Sequence, residues 1–106
     1  MVNRFDVYLV NLDADPAGDA KNTRPCVVVS PNEINHNIEN VIIAPLSSVS
    51  VPYPTRIQVI FLNNERAVIL DQIRTVDKAR LVKKIGEIDS EHHLPIIERL
   101  QEMFSE

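Results

Sequence analysis

Two short stretches of this chain carry residue types that together can grip a phosphodiester. Arg24 and Pro25 precede the apolar run Cys26-Val27-Val28-Val29. A second apolar run, Val41-Ile42-Ile43-Ala44-Pro45-Leu46, ends in the hydroxyls of Ser47 and Ser48. Arginine offers planar, paired N–H donors that match two phosphate oxygens, and a serine hydroxyl can point at a third. If the two runs pair as neighbouring strands, their ends bring guanidinium and hydroxyl together. Read for structure alone, the same residues are a strand-entry arginine and solvated loop serines.

Other chemistries find less support. His92 and His93 are adjacent and leave a helix in different directions, so they cannot form the i,i+4 pair a zinc site needs, and His36 stands alone. The single cysteine, Cys26, excludes an internal disulfide, and a thiolate among its apolar neighbours would be costly, which argues against a Cys-His nucleophile. With only Gly18 and Gly86, no glycine-rich phosphate loop is available. No metal and no cofactor are expected. The formal charge of −4 argues against an unspecific nucleic-acid binder, which would carry a basic excess. A phosphate ligand must be met by a local basic patch working against an acidic average.

The elements that must position these residues are short. A chain of 106 residues with 44% hydrophobic content suits one domain, residues 1–106, with a real core. No apolar stretch approaches the ~20 residues of a membrane span. The N-terminus lacks a signal-peptide hydrophobic region, so a cytoplasmic protein is expected. Strand-like runs cover Phe5 to Asn11, Cys26 to Ser30, Val41 to Leu46, Thr55 to Leu62 and Ala67 to Leu70, with a sixth between Leu81 and Ile88. Pro31 to Asn35 suits one helical turn, and Asn63-Asn64-Glu65 a tight hairpin turn. Near the end the period changes: Leu94, Ile97, Leu100 and Phe104, flanked by Ile96 and Met103, predict an amphipathic helix with Pro95 in its first turn. The fold expected is mainly β, a small curved antiparallel sheet or barrel with a C-terminal helix. Several strands are apolar on both faces, which favours a homodimer.

Three blocks then give the chain a family likeness. Asp6-Val7-Tyr8-Leu9-Val10-Asn11-Leu12, Thr23-Arg24-Pro25-Cys26-Val27-Val28-Val29-Ser30 and Leu70-Asp71-Gln72-Ile73-Arg74-Thr75-Val76-Asp77 resemble, in order and distance, the MazF/PemK family of toxin endoribonucleases. The resemblance spans roughly residues 4 to 104. It implies an SH3-like barrel of the PemK/CcdB type and a homodimer restrained by a MazE-like antitoxin. The activity it implies is metal-independent cleavage of single-stranded mRNA, in which the 2′-hydroxyl attacks the adjacent phosphate to leave a 2′,3′-cyclic phosphate and a 5′-hydroxyl.

By the same resemblance the catalytic arginine falls on Arg24 and the catalytic hydroxyl on Ser47, with Ser48 one residue away. The acid–glutamine pair beside the substrate groove falls on Asp71 and Gln72, and the acidic position of the first loop on Asp19. Tyr53, in a Pro-flanked loop, is the expected base stacker. The first loop, Ala17 to Thr23, departs from the usual family pattern. Gly18 and Ile69 stand where some relatives carry an alternative His and Arg. Two other readings remain: a non-enzymatic CcdB-like toxin that binds a protein such as DNA gyrase, and an inactive antitoxin-binding module.

Overall fold

The computed structural model describes residues 1–13, 22–49 and 52–105. Among these described residues the strands are β1 (Asp6–Asn11), β2 (Thr23–Val28), β3 (Asn40–Ser47), β4 (Arg56–Phe61), β5 (Asn64–Ile69), β6 (Arg74–Asp77) and β7 (Leu81–Glu87). A one-turn helix α1 (Asn32–Asn35) joins β2 to β3, and α2 (His93–Phe104) ends the chain. The strands form one curled antiparallel sheet in the order β4-β5-β3-β2-β1-β7, with β6 also paired to β3. The mainly β antiparallel architecture with a terminal helix is thus the one the sequence predicts. No helix among the described residues is long and apolar enough to cross a membrane.

Alternation along the strands explains why runs that look apolar throughout are stable here. In β2, Val27 enters one buried cluster with Val7, Ala44, Leu46, Val59, Phe61 and Val68, while Cys26 and Val28 enter a second with Val10, Val41, Ile43 and Val76. Successive side chains of a strand point to opposite faces, so a doubly covered sheet needs both positions apolar. The first cluster is closed by Ile96 of α2, with Leu100 and Met103 packed against it. The second is flanked by Val2, Tyr8, Leu12 and Leu81.

Three details differ from the expectation. The β4–β5 hairpin turns at Leu62 and Asn63, with φ of 50° and 64°, so Asn64 already pairs with Phe61. Two consecutive left-handed residues give the turn whose twist matches a two-residue hairpin, which moves the turn one residue earlier than predicted. Second, β6 is an additional strand. Between Leu46↔Val68 and Ile43↔Arg74, β3 retreats three residues while its partner advances six, so three residues are looped out of the ladder. They form a 3₁₀ turn at Leu70–Gln72. Third, α2 buries Ile96, whereas Leu94 and Phe104 are exposed. Spacings of three and four fit two overlapping helix faces, and packing against the sheet selects between them.

Candidate active site

The site begins where two strands part. The β2–β3 ladder runs through Val28↔Ile43 and Val27↔Ala44 and ends at Cys26↔Pro45. Pro25 and Pro45 both lack the N–H that a ladder requires. Beyond them β2 stays with β1 out to Asn11↔Thr23, while β3 turns to β5 through Leu46↔Val68 and Ser47↔Ala67. Continued by two residues, the β2–β3 register would set Arg24 opposite Ser47. In place of that ladder lies an open groove of about 610 Å³, and both residues line it. Pro25 and Pro45 line it too.

Arg24 is exposed, and its side chain makes no hydrogen bond or ion pair among the described residues. The Ser47 hydroxyl accepts a hydrogen bond from the Val49 N–H at 3.1 Å, which fixes the oxygen and leaves its own proton to donate. Ser48 and Gln72 also line the groove. Asp71 does not, although it neighbours Gln72 in the looped-out turn. Its Oδ1 accepts from the Thr55 hydroxyl at 2.9 Å and lies 3.5 Å from Arg56 Nε. The Thr55 hydroxyl above all holds the Asp71 carboxyl below the usual carboxylate range; desolvation opposes it, and smaller contributions from Arg56 and a backbone hydrogen bond reinforce it. Tyr53 is exposed at the periphery, with the Arg56 guanidinium 4.9 Å from its ring centroid. Asp19 lies outside the described residues. At the base of its loop, Arg80 donates to the carbonyls of Asn11 and Asp13.

Two charged lining residues escaped the sequence reading: Arg56 and Arg66. With Arg24 they place three guanidiniums on the groove, and no carboxylate lines it among the described residues. This is the local basic patch that an acidic chain needs in order to meet phosphate. The missing signal was the hairpin register. A turn placed at 63–65 puts Arg66 at the turn's edge, and a one-residue slip turns each side chain to the other face.

The remaining reactive side chains lie elsewhere. Burial pushes the Cys26 thiol up to about 11, so the thiol stays protonated at neutral pH. His36 bonds Asn3, His92 accepts from the Ile60 N–H and His93 lies against the Ile88 carbonyl. Among the described residues no three His, Cys, Asp or Glu side chains converge as metal ligands would. Chemically, the groove offers fork-shaped cations and one fixed hydroxyl, a set suited to the charge that develops on phosphoryl oxygens.

The fold recurs in solved structures. The toxin MazF-mt6 of Mycobacterium tuberculosis superposes with a TM-score of 0.77 at 20% identity, covering 93% of this chain and 95% of that one. A mycobacterial endoribonuclease in complex with its cognate antitoxin gives 0.80 at 23% identity, covering 96% and 93%. A MazE–MazF complex from Deinococcus radiodurans gives 0.78 at 19% identity, covering 98% and 95%. At such identities the likeness establishes the fold. The sequence model of the PemK-like, MazF-like toxins of type II toxin–antitoxin systems matches residues 3–104, and the chain belongs to that family.

Proposed function

We propose that this protein is a metal-independent endoribonuclease that cuts single-stranded mRNA, and that it is the toxin of a type II toxin–antitoxin pair. The observation that carries the reading is the presence of Arg24 and Ser47 on one groove free of lining carboxylates among the described residues. In the proposed reaction the RNA 2′-hydroxyl attacks the adjacent phosphorus and the 5′-oxygen leaves, giving a 2′,3′-cyclic phosphate and a 5′-hydroxyl. Charge builds on the non-bridging oxygens as the fifth bond forms. Donors held in place for those oxygens stabilise the transition state without reorganising. Arg24 binds the scissile phosphate and donates toward the leaving oxygen, while Ser47 donates to a non-bridging oxygen. A guanidinium is a poor base at neutral pH, so the proton of the 2′-hydroxyl passes to water and a proton from water completes the 5′-hydroxyl, while Arg24 stays charged throughout.

Ser48 and Gln72 are assigned to substrate contact from the same groove, together with Asp19 of the first loop. Tyr53 is assigned to base stacking on the ring face that Arg56 leaves open. The active form is proposed to be a homodimer, restrained by a MazE-like antitoxin. Two of the structures that share the fold are themselves complexes with such a partner.

The test is incubation of the purified protein in EDTA with a long single-stranded RNA. Cleavage at a few sites, with 2′,3′-cyclic phosphate ends, is expected, and Arg24→Ala abolishes it. RNA left intact at high protein concentration across many sequences overturns the reading. Growth arrest that survives both Arg24→Ala and Ser47→Ala points instead to a protein target.

A further inference from the structure

We propose that Asp71 is a positioning residue acting through Arg56, and that the Arg56 guanidinium it orients takes the phosphate next to the scissile one. The proposal rests on the nuclease reading above and assigns a subsite to it.

The argument starts from charge. A single phosphodiester carries one negative charge, and Arg24 with Ser47 already offers donors for its oxygens. Two further guanidiniums, Arg56 and Arg66, line the same groove. The Arg66 side chain has no hydrogen bond or ion pair among the described residues. Three cations on one groove fit an extended strand with consecutive phosphates rather than a lone phosphate.

Arg56 is the cation whose geometry is set by its neighbours. Its Nε faces Asp71 Oδ1 at 3.5 Å, and its central carbon lies 4.9 Å from the Tyr53 ring centroid. One edge and one face of the guanidinium are therefore occupied. The N–H groups of its two terminal nitrogens have no partner among the described residues, and these form the fork that matches phosphate oxygens. Holding Arg56 on two sides lowers the rotamer entropy lost when RNA binds.

Asp71 is placed for such a role and poorly placed for RNA. It stands behind Arg56 and off the groove lining, where its charge attracts the guanidinium, and the Thr55 hydroxyl holds the same oxygen at 2.9 Å. Standing among the three guanidiniums, the Asp71 carboxylate would offset the charge that draws the phosphates. The three residues looped out between β5 and β6 place Asp71 there, so this turn in the ladder doubles as the mount for Arg56.

The test measures KM and kcat on a single-stranded RNA carrying one mapped cut site. Arg56→Gln is expected to raise KM about tenfold, in line with loss of one charge-assisted hydrogen bond, while kcat stays close to wild type. Asp71→Ala raises KM similarly, and Asp71→Asn, which keeps an oxygen acceptor, restores it. In the Arg56→Gln background, Asp71→Ala adds nothing further. Arg56→Lys, which keeps the charge and loses the fork, gives an intermediate KM and serves where Arg56→Gln melts early by circular dichroism. Additive effects of the two substitutions overturn the proposal by showing that Asp71 reaches RNA independently. Unchanged KM in both single variants overturns it as well. If the wild-type protein neither binds nor cuts RNA, the nuclease reading itself fails and takes this subsite with it.

Discussion

Ser47 does chemistry only if its hydroxyl proton is free, and the Val49 N–H secures this by occupying the oxygen from behind. Ser47→Ala is expected to lower kcat about a hundredfold, the usual cost of one preorganised donor, and Ser47→Thr to retain most activity. Single-turnover cleavage of a mapped site checks both. Asp71 gives a pH-dependent prediction. Its folded-state carboxyl is depressed, chiefly by Thr55. Its contribution is therefore present above the ordinary carboxylate range and lost as pH falls through the depressed value. Urea unfolding should find Asp71→Asn less stable than wild type at neutral pH, with the gap closing in acid. Because Asp71 is partly exposed, the gap is small. At this scale Arg24 and Ser47 could be picked out as groove residues because each borders an apolar run, one before it and one after it. Arg56 and Arg66 could not, because an arginine on a strand looks the same whether it meets solvent or a groove.

The elements explain why the groove stays open. Pro25 withholds a ladder donor on the side facing β3, at the point where β3 leaves β2 for β5. On the far side, β4 is an edge strand whose exposed backbone is partly covered. The Ile60 N–H of this strand donates to His92 Nε2 at 3.2 Å. Covering an edge in this way discourages pairing with a foreign strand. β7 is held to the hairpin by a close approach, in which a methyl placed on Gly86 would lie 2.9 Å from Phe61 Cε1. Gly86→Ala is expected to destabilise the fold by about 1–3 kcal/mol through overpacking, read as a lower thermal midpoint. The strands were legible from composition, with errors of a few residues. The missed β6 follows a 3₁₀ turn, which breaks the alternation that would have announced it.

For the molecule as a whole, charge is divided between an acidic average and one basic groove. The chain carries −4, yet Arg24, Arg56 and Arg66 share a single lining. Three phosphate contacts on a single strand predict a slope of about −2 in log affinity against log salt. Arg66→Ala should flatten that slope by about 0.7 and weaken binding across RNA sequences alike. Fluorescence anisotropy of a labelled RNA, measured with a cleavage-dead Arg24→Ala protein, reads the Arg66 contribution as the difference between two slopes, each already lacking the Arg24 contact.

What the sequence by itself determined was local: which apolar runs become strands, β6 excepted, that a helix follows them near the end (His93–Phe104), and that the three quoted blocks belong to one family pattern. Period and residue type decide these, because they govern what each segment can bury. Only the tertiary structure decided which face of α2 packs inward, where the hairpin turns, and that three arginines from β2, β4 and β5 share a groove with Ser47. Such outcomes depend on register between segments distant in the chain. Alternation repeats every two residues and helical spacing fits more than one face, so several registers satisfy the pattern until packing selects one.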